Sequence, residues 1–435
     1  MQTFTLQTDF VDEAAERGVI AAVARNPALY WELIDLLPAG VFACEPDAWE
    51  RVARAIEAEE KPEAPEWEPA ADPKEAATTL ADLLQRRLLA QEQELLAAAL
   101  YDMDKPAAET ASLLEEAASR VQAAIRETEA GKLQWAADLL PGVLQEAEKR
   151  RQERETTGKA CMGLPTGIER LDAYLGGMNE GLYILAGAPG MGKTTLALQI
   201  AATVTKEAPV IPVIYVTFEN SPENLTLKAI ASRAGVNSQD VKRGWADVSA
   251  LRQAAEEWRP VANHLALIEG TSRLTLGQVR AKALQAMNRH KADKCLVIVD
   301  YLQLWAKASE ELRGFQSVRE RVEALGSQLR ELATRLHSPV LALASQNRAQ
   351  GDYGGGKGAA NLDSLKESGD LEYTADAVLF LTQAKERQAT PPARAVDLTL
   401  AKNRNGDIGK VELIFRPDIG DFRPYIKDFE GVTRR

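Results

Sequence analysis

Eight consecutive residues, Gly187-Ala188-Pro189-Gly190-Met191-Gly192-Lys193-Thr194, combine three glycines, a lysine and a hydroxyl at the spacing that wraps a polyphosphate. The backbone N–H groups of Gly187 to Gly192 would turn toward phosphate oxygens. Lys193 would neutralise the β- and γ-phosphates, Thr194 would hold a magnesium ion, and Thr195 completes the set. An apolar run (YILA) precedes the motif and an amphipathic one (TTLALQIAATV) follows it, which is the strand–loop–helix setting the mechanism needs. The cofactors expected are ATP and Mg2+.

Three further polar residues stand at or just beyond the ends of apolar runs. Asp300 closes LVIVD, where a carboxylate can hold a magnesium water beside the phosphates. Glu219 closes VIYVTFE, where an acid free of the metal can orient or deprotonate an attacking water; it also reads as an acid in the first turn of a helix starting near Ser221-Pro222. Gln346 follows VLALAS and is the right polar type to sense a γ-phosphate or to position water. Lys402 and Arg404, in KNRNG, fall in a turn-rich segment between two apolar runs, which would push both cations out at a domain edge. They could be a solvated tip, or, in a ring of subunits, they could reach a neighbour's γ-phosphate. Residues 351–361 (GDYGGGKGAAN) hold five glycines, and the SLKESGD segment that follows offers Lys366 to track a phosphate backbone without reading bases.

Elements must hold these groups together. From residue 161 onward, apolar runs alternate with amphipathic ones: Leu182–Ala186, Val213–Phe218, Leu265–Ile268, Leu296–Val299, Val340–Ala344, Ala377–Leu381, Ala395–Ala401 and Lys410–Phe415. That alternation predicts a mostly parallel sheet covered by helices, with a terminal hairpin. Residues 11–60 predict helices, with Val19, Ile20, Val23, Leu29, Leu33, Leu36 and Leu37 spaced by threes and fours. The segment 61–73 (KPEAPEWEPAADP), with four prolines and three glutamates, predicts a solvated loop. Residues 74–129 predict two long helices in a hairpin, broken near Lys105-Pro106. A short apolar stripe at Leu139, Leu140, Val143, Leu144 and Ala147 marks a linker helix in need of a partner surface. The organisation expected is thus a helical domain over 1–130, a linker over 131–160 and an α/β domain over 161–435.

Composition sets bounds. The 435-residue chain has a net charge of -12, which argues against nucleic acid. Residues 1–150, however, carry 14 Lys+Arg against 30 Asp+Glu, and the remainder 38 against 34, so the second part is free to attract a polyanion. Three cysteines (Cys44, Cys161, Cys295) and three histidines leave no disulfide framework or zinc ribbon, and imply a reducing, intracellular setting. Neither a signal peptide nor a membrane span is apparent.

Taken in order, LPTGIERLD (164–172), GAPGMGKTT, VTFENS, VDYLQL, LRELATRLHSPVLALASQNR, LKESGDLEYTAD and AKNRNGDIGKVELIF resemble the replicative DNA helicases of the DnaB family over about residues 160–425. The helical segment from Glu16 to Ile56 resembles that family's N-terminal domain more weakly. The resemblance implies a RecA-like ATPase fold and a homohexamer moving 5′→3′ on single-stranded DNA in the cytoplasm, with primase and a helicase loader as candidate partners. It implies Glu219 as general base, Asp300 as metal-organising acid, Gln346 as γ-phosphate sensor, Lys402 and Arg404 acting in trans, and Lys366, Glu367 and Gly369 on DNA. Lys366 stands where the family usually has Arg, keeping charge but losing the bidentate fork. The alternative is a RecA-like DNA-dependent ATPase of another class, a recombinase or a regulator.

Overall fold

The computed structural model describes residues 10–101, 135–157, 163–207, 209–345, 371–384, 387 and 389–425. Gln346, Lys366, Glu367, Gly369 and the glycine-rich run 351–361 lie outside the described residues. Internal contacts divide the chain into two units, with the boundary after Glu146.

The first unit is helical. Helix α1 (Glu13–Arg25) starts at Asp12, whose carboxylate accepts from the Ala15 N–H at 2.8 Å, a side-chain cap on the first turn. It buries Val19, Ile20, Val23 and Ala24 against α2 (Ala28–Leu33), α3 (Pro46–Glu57) and α4 (Pro73–Tyr101). Glu16, fully buried in α1, accepts from the N–H groups of Ala43, Cys44 and Glu45, so its carboxylate is satisfied while it orders the entry to α3.

The segment 61–73 departs from the expected solvated loop. It lies along α1 as a strap: Pro62 is buried, Trp67 packs on the core, the Ala70 N–H donates to the Gly18 carbonyl at 3.0 Å, and Arg25 donates to the Trp67 carbonyl at 2.8 Å. The partly buried Trp67 indole offsets the local polarity, and the prolines lower the entropy lost when the strap is ordered. Of the expected helical hairpin over 74–129, α4 is the part within the described residues. Helix α5 (Ala136–Thr157) carries the linker stripe, and Leu139, Leu140, Val143 and Leu144 on it are about half exposed or more.

The second unit is a nine-stranded sheet between two helical layers. Its elements run α6 (Glu169–Leu175), β1 (Gly181–Gly187), α7 (Lys193–Val204), β2 (Val213–Thr217), α8 (Pro222–Ala234), α9 (Ser238–Lys242), α10 (Val248–Ala262) and β3 (Leu265–Glu269). They continue with α11 (Leu276–His290), β4 (Leu296–Asp300), α12 (Leu302–Ala308), α13 (Val318–Leu336), β5 (Pro339–Ser345), α14 (Leu371–Thr374), β6 (Ala377–Gln383), β7 (Arg394–Asn403), β8 (Gly409–Arg416) and β9 (Asp421–Pro424). The strand order is β3-β2-β4-β5-β1-β6-β7-β8-β9, parallel through β6 and antiparallel from there. All eight expected strands are present. The ninth, β9, turns the terminal hairpin into a meander.

The central strands are apolar on both faces because both are covered. On one face Tyr183, Leu185, Tyr215 and Ile298 pack with α6 and α7, and on the other Ile184, Val216, Val299 and Phe380 pack with α11 to α13. Trp305 of α12 is fully buried, stacks on Phe218 at 5.3 Å and donates its indole N–H to the Leu274 carbonyl. Its truncation to Ala should cost about 3–5 kcal/mol. Because β1, β2, β4 and β5 run the same way, their C-terminal ends share one edge: Gly187 is level with Ser345, and Thr217 with Asp300. Among the described residues no helix is long and apolar enough to cross a membrane.

Candidate functional site

The phosphate loop sits at that edge, between β1 and α7. Gly190 and Gly192 have φ of +79° and +94°, and a Cβ on Gly192 would lie 2.8 Å from both Phe415 and Phe422. These two rings stack at 4.4 Å and form the floor under the loop, so the terminal meander shapes the turn from below. The Gln199 side-chain amide pins β9 to α7 through both backbone groups of Phe422. The N–H groups of Lys193 and Thr194 open α7 and, as first-turn amides, have no partner within the helix.

Lys193 lies folded back on its own loop, its amine donating to the Gly187 carbonyl at 2.6 Å and the Ala188 carbonyl at 3.3 Å. Burial lowers its pKa, opposed by the charges of Asp300 and Glu219. A half-buried ammonium hydrogen-bonded to carbonyls is a strong anchor for an incoming phosphate. Asp300 is 1% exposed at the end of β4, and one of its oxygens accepts from the Thr194 hydroxyl and from the Tyr215 hydroxyl, each at 2.8 Å. Burial raises the Asp300 pKa, while the Tyr215 and Thr194 bonds and the charges of Lys228 and Lys193 hold it down. Tyr215 is itself pushed well above its ordinary pKa by burial and by Asp300, and so stays a hydrogen-bond donor.

Thr194 and Asp300 thus form the pair that suits a magnesium ion. Among the described residues no group of three or more His, Cys, Asp or Glu side chains gathers as a metal cage, so an ion here would take its other oxygens from phosphate and water.

Glu219 lies two residues beyond the end of β2, in an exposed turn before Ser221, which caps α8. The helix cap is therefore Ser221, and Glu219 faces the site, where its charge acts on Lys193, Lys228 and Tyr301. Lys228 of α8 was not singled out from the sequence. Its amine donates to the Asn220 side chain at 2.8 Å, and burial lowers its pKa against the pull of Asp300 and Glu219. The only local signal was a lysine on the half-buried face of a helix. Gln303 brackets the end of β5, its side-chain amide exchanging hydrogen bonds with both backbone groups of Ser345, one residue before Gln346. Beside the loop a cavity of about 530 Å³ opens, lined in part by Thr195, Gln199, Ser232, Asp418 and Arg423.

Lys402 and Arg404 are at the opposite edge. Asn403 pairs with Ala377, the first residue of β6, whereas Gly187 pairs with Leu381. The Arg404 N–H donates to the Asp376 carbonyl, which puts Arg404 about 17 Å along the sheet from the loop at ~3.3 Å per residue. Arg404 is exposed at that edge, but the two cations are not a solvated tip. The Lys402 amine bonds to the carbonyls of Glu372 and Tyr373, and Arg404 bonds to the Tyr373 carbonyl and pairs with Asp376 at 3.3 Å. The last carbonyls of α14 need donors, and the nearest are these two cations. Burial, and next the charge of Arg404, lower the Lys402 pKa. The structure brings Lys193, Thr194, Asp300 and Glu219 together, and keeps Lys402 and Arg404 apart from them within one chain.

The relatives of this chain are consistent with that geometry. It is 28% identical over 293 residues to the replicative DNA helicase DnaB of Rickettsia bellii, covering 60% of this chain and 57% of that protein. It is 29% identical over 290 residues to the Treponema pallidum protein of the same name, covering 66% and 60%. The chain spans about three-fifths of the length of these curated relatives. Among solved structures, the one titled as a DnaB-like replicative helicase and its interactions with primase superposes with a TM-score of 0.69 at 20% identity, over 95% of this chain and 100% of that one. The ATPase domain of G40P matches at 0.55 and 24%, over 65% and 99%. Both share the fold. The model of the DnaB-like helicase C-terminal domain matches residues 163–424, well over half of the sequence, and the chain therefore belongs to that family.

Proposed function

We propose that this chain is the subunit of a replicative DNA helicase, a homohexameric ring that hydrolyses ATP and moves 5′→3′ on single-stranded DNA to open duplex. The observation that carries the reading is the separation of the two half-sites: a phosphate loop with its acids at one edge of the sheet, and a fixed pair of cations at the other. In a ring, the second edge of one subunit meets the first edge of the next, and the two halves make one site.

In that site the loop amides and Lys193 bind the polyphosphate, and Thr194 and Asp300 would hold Mg2+, which would supply positive charge against the phosphates. Glu219 orients the attacking water and takes its proton, Gln346 senses the γ-phosphate, and Lys228 adds a second cation close by. The neighbour's Lys402 and Arg404 stabilise charge in the transition state. Lys366, Glu367 and Gly369 contact the strand. The exposed stripe on α5 offers a docking face for linker packing on an adjacent subunit, and the named relatives support a bacterial, plasmid or phage replisome in the cytoplasm. Primase is a candidate partner because the similar solved helicase is described with one; a loader is a further candidate.

The test is steady-state ATP hydrolysis with and without single-stranded DNA over a range of protein concentrations. Stimulation by DNA with a cooperative dependence on protein is the expected result. Flat, DNA-independent turnover would favour a regulator.

A further inference from the structure

We infer that Asp376 is a positioning residue that fixes Arg404 for its action on a neighbouring subunit. The inference rests on the trans role of Arg404 proposed above.

The carboxylate of Asp376 is 9% exposed and receives three groups. One oxygen accepts from the Leu182 N–H at 2.9 Å. Arg330 of α13 presents a fork, Nε to that same oxygen and Nη2 to the other, both at 3.3 Å. The Arg404 Nη1 lies 3.3 Å from the second oxygen. The backbone repeats the arrangement: the Asp376 N–H donates to the Leu182 carbonyl, and the Asp376 carbonyl accepts from the Arg404 N–H. The carboxylate fits over Gly181, at φ +145°, where any Cβ would lie 2.8 Å from it. Main chain and side chain of Arg404 are therefore both referenced to the start of β1, the strand whose other end carries the phosphate loop.

A guanidinium on a turn has many rotamers, and one already held in place stabilises a transition state without reorganising at the moment of reaction. Arg330 serves the same end by fixing the plane of the carboxylate. Asp376 touches no nucleotide; its effect passes through Arg404.

The test uses Asp376→Asn, which keeps the volume and an acceptor for Leu182 but removes the charge that holds Arg404. In assembled rings kcat should fall at least about tenfold while the KM for ATP stays within about twofold, since the loop that binds nucleotide is untouched. Rings mixed from D376N and K193A chains should hydrolyse ATP faster than either parent, because a D376N chain keeps its phosphate loop and receives a well-placed Arg404 from its K193A neighbour. A purely structural defect would not be rescued in this way. Mixed R404A and K193A rings are the control. If they recover and the D376N mixture does not, or if kcat of D376N is unchanged, the positioning role is overturned. If the control itself does not recover, the trans role of Arg404 fails and the inference with it. Should D376N not assemble, R330Q carries the test, since the Arg330 side chain is 45% exposed and its loss leaves the core intact. It should lower kcat about threefold at constant KM, and an unchanged kcat would contradict the proposal.

Discussion

The two edges of the sheet are built by opposite means. At the C-terminal edge, short local motifs deliver the groups: GAPGMGKT follows β1, Asp300 ends β4 and Glu219 follows β2 by two residues. At the N-terminal edge nothing is local. Arg404, Asp376, Arg330 and Leu182 come from four separate elements and meet only because the sheet is folded. The first edge holds a half-buried ammonium and a buried carboxylate whose pKa values burial shifts in opposite directions, a poised binding site. The second holds cations fixed by carbonyls and by one carboxylate, with net positive charge remaining. On the function proposed above, each is half of a catalytic arrangement that two subunits complete.

The comparison breaks first at Arg404. Arg404→Ala should lower hydrolysis about a thousandfold, the scale of a lost arginine finger, and leave nucleotide binding by a fluorescent ATP analogue within about twofold. A matching loss of binding would place Arg404 on its own subunit's nucleotide. Next is the opposite edge: Glu219→Gln should cost about a hundredfold or more in kcat with binding retained, as for a general base. If turnover persists, Glu219 is merely an acid in the turn before α8. A smaller effect sharpens the account on the DNA side. Lys366→Ala should weaken single-strand affinity several-fold and reduce the salt slope of binding by about one phosphate contact; an unaltered slope would remove it from the DNA path.

The smallest effect concerns stability and has a definite sign. Asp300 has a folded pKa above its unfolded one, because burial penalises the carboxylate. The folded state therefore loses stability as pH rises through the ordinary aspartate pKa to the raised one, and the full cost is present at neutral pH. Asp300→Asn should thus raise the nucleotide-free melting temperature at neutral pH, by a few degrees at most. The gain should vanish on acidification below the normal carboxylate range, as read by calorimetry. A lower melting temperature at neutral pH would show that the Thr194 and Tyr215 bonds outweigh the burial cost.

How much of this was legible in the sequence follows from the same contrast. The parallel strands could be read because covered strands are continuous apolar runs, and the phosphate loop because its chemistry needs consecutive residues. Strand β9 escaped because it has four residues and a single buried ring, Phe422, whose value lies in stacking on Phe415 under Gly192. The strap at 61–73 was misread because its prolines and glutamates dominate the local pattern, while the fit of Trp67 on the core depends on α1. Lys228 reaches the site by helix phase, and Asp376 and Arg330 gain meaning only through pairings more than 25 residues apart. What holds Lys402 and Arg404 was illegible for a related reason: α14, whose carbonyls bond them, has only four residues and no periodic signal.

The central claim is that one active site is shared by two chains. The most direct measurement mixes R404A and K193A subunits and follows DNA-free ATP hydrolysis, where sites need not fire in order. The account predicts that mixed rings recover activity well above either parent, since some interfaces pair an intact Lys193 with an intact Arg404. Mixed rings as inactive as both parents would contradict it.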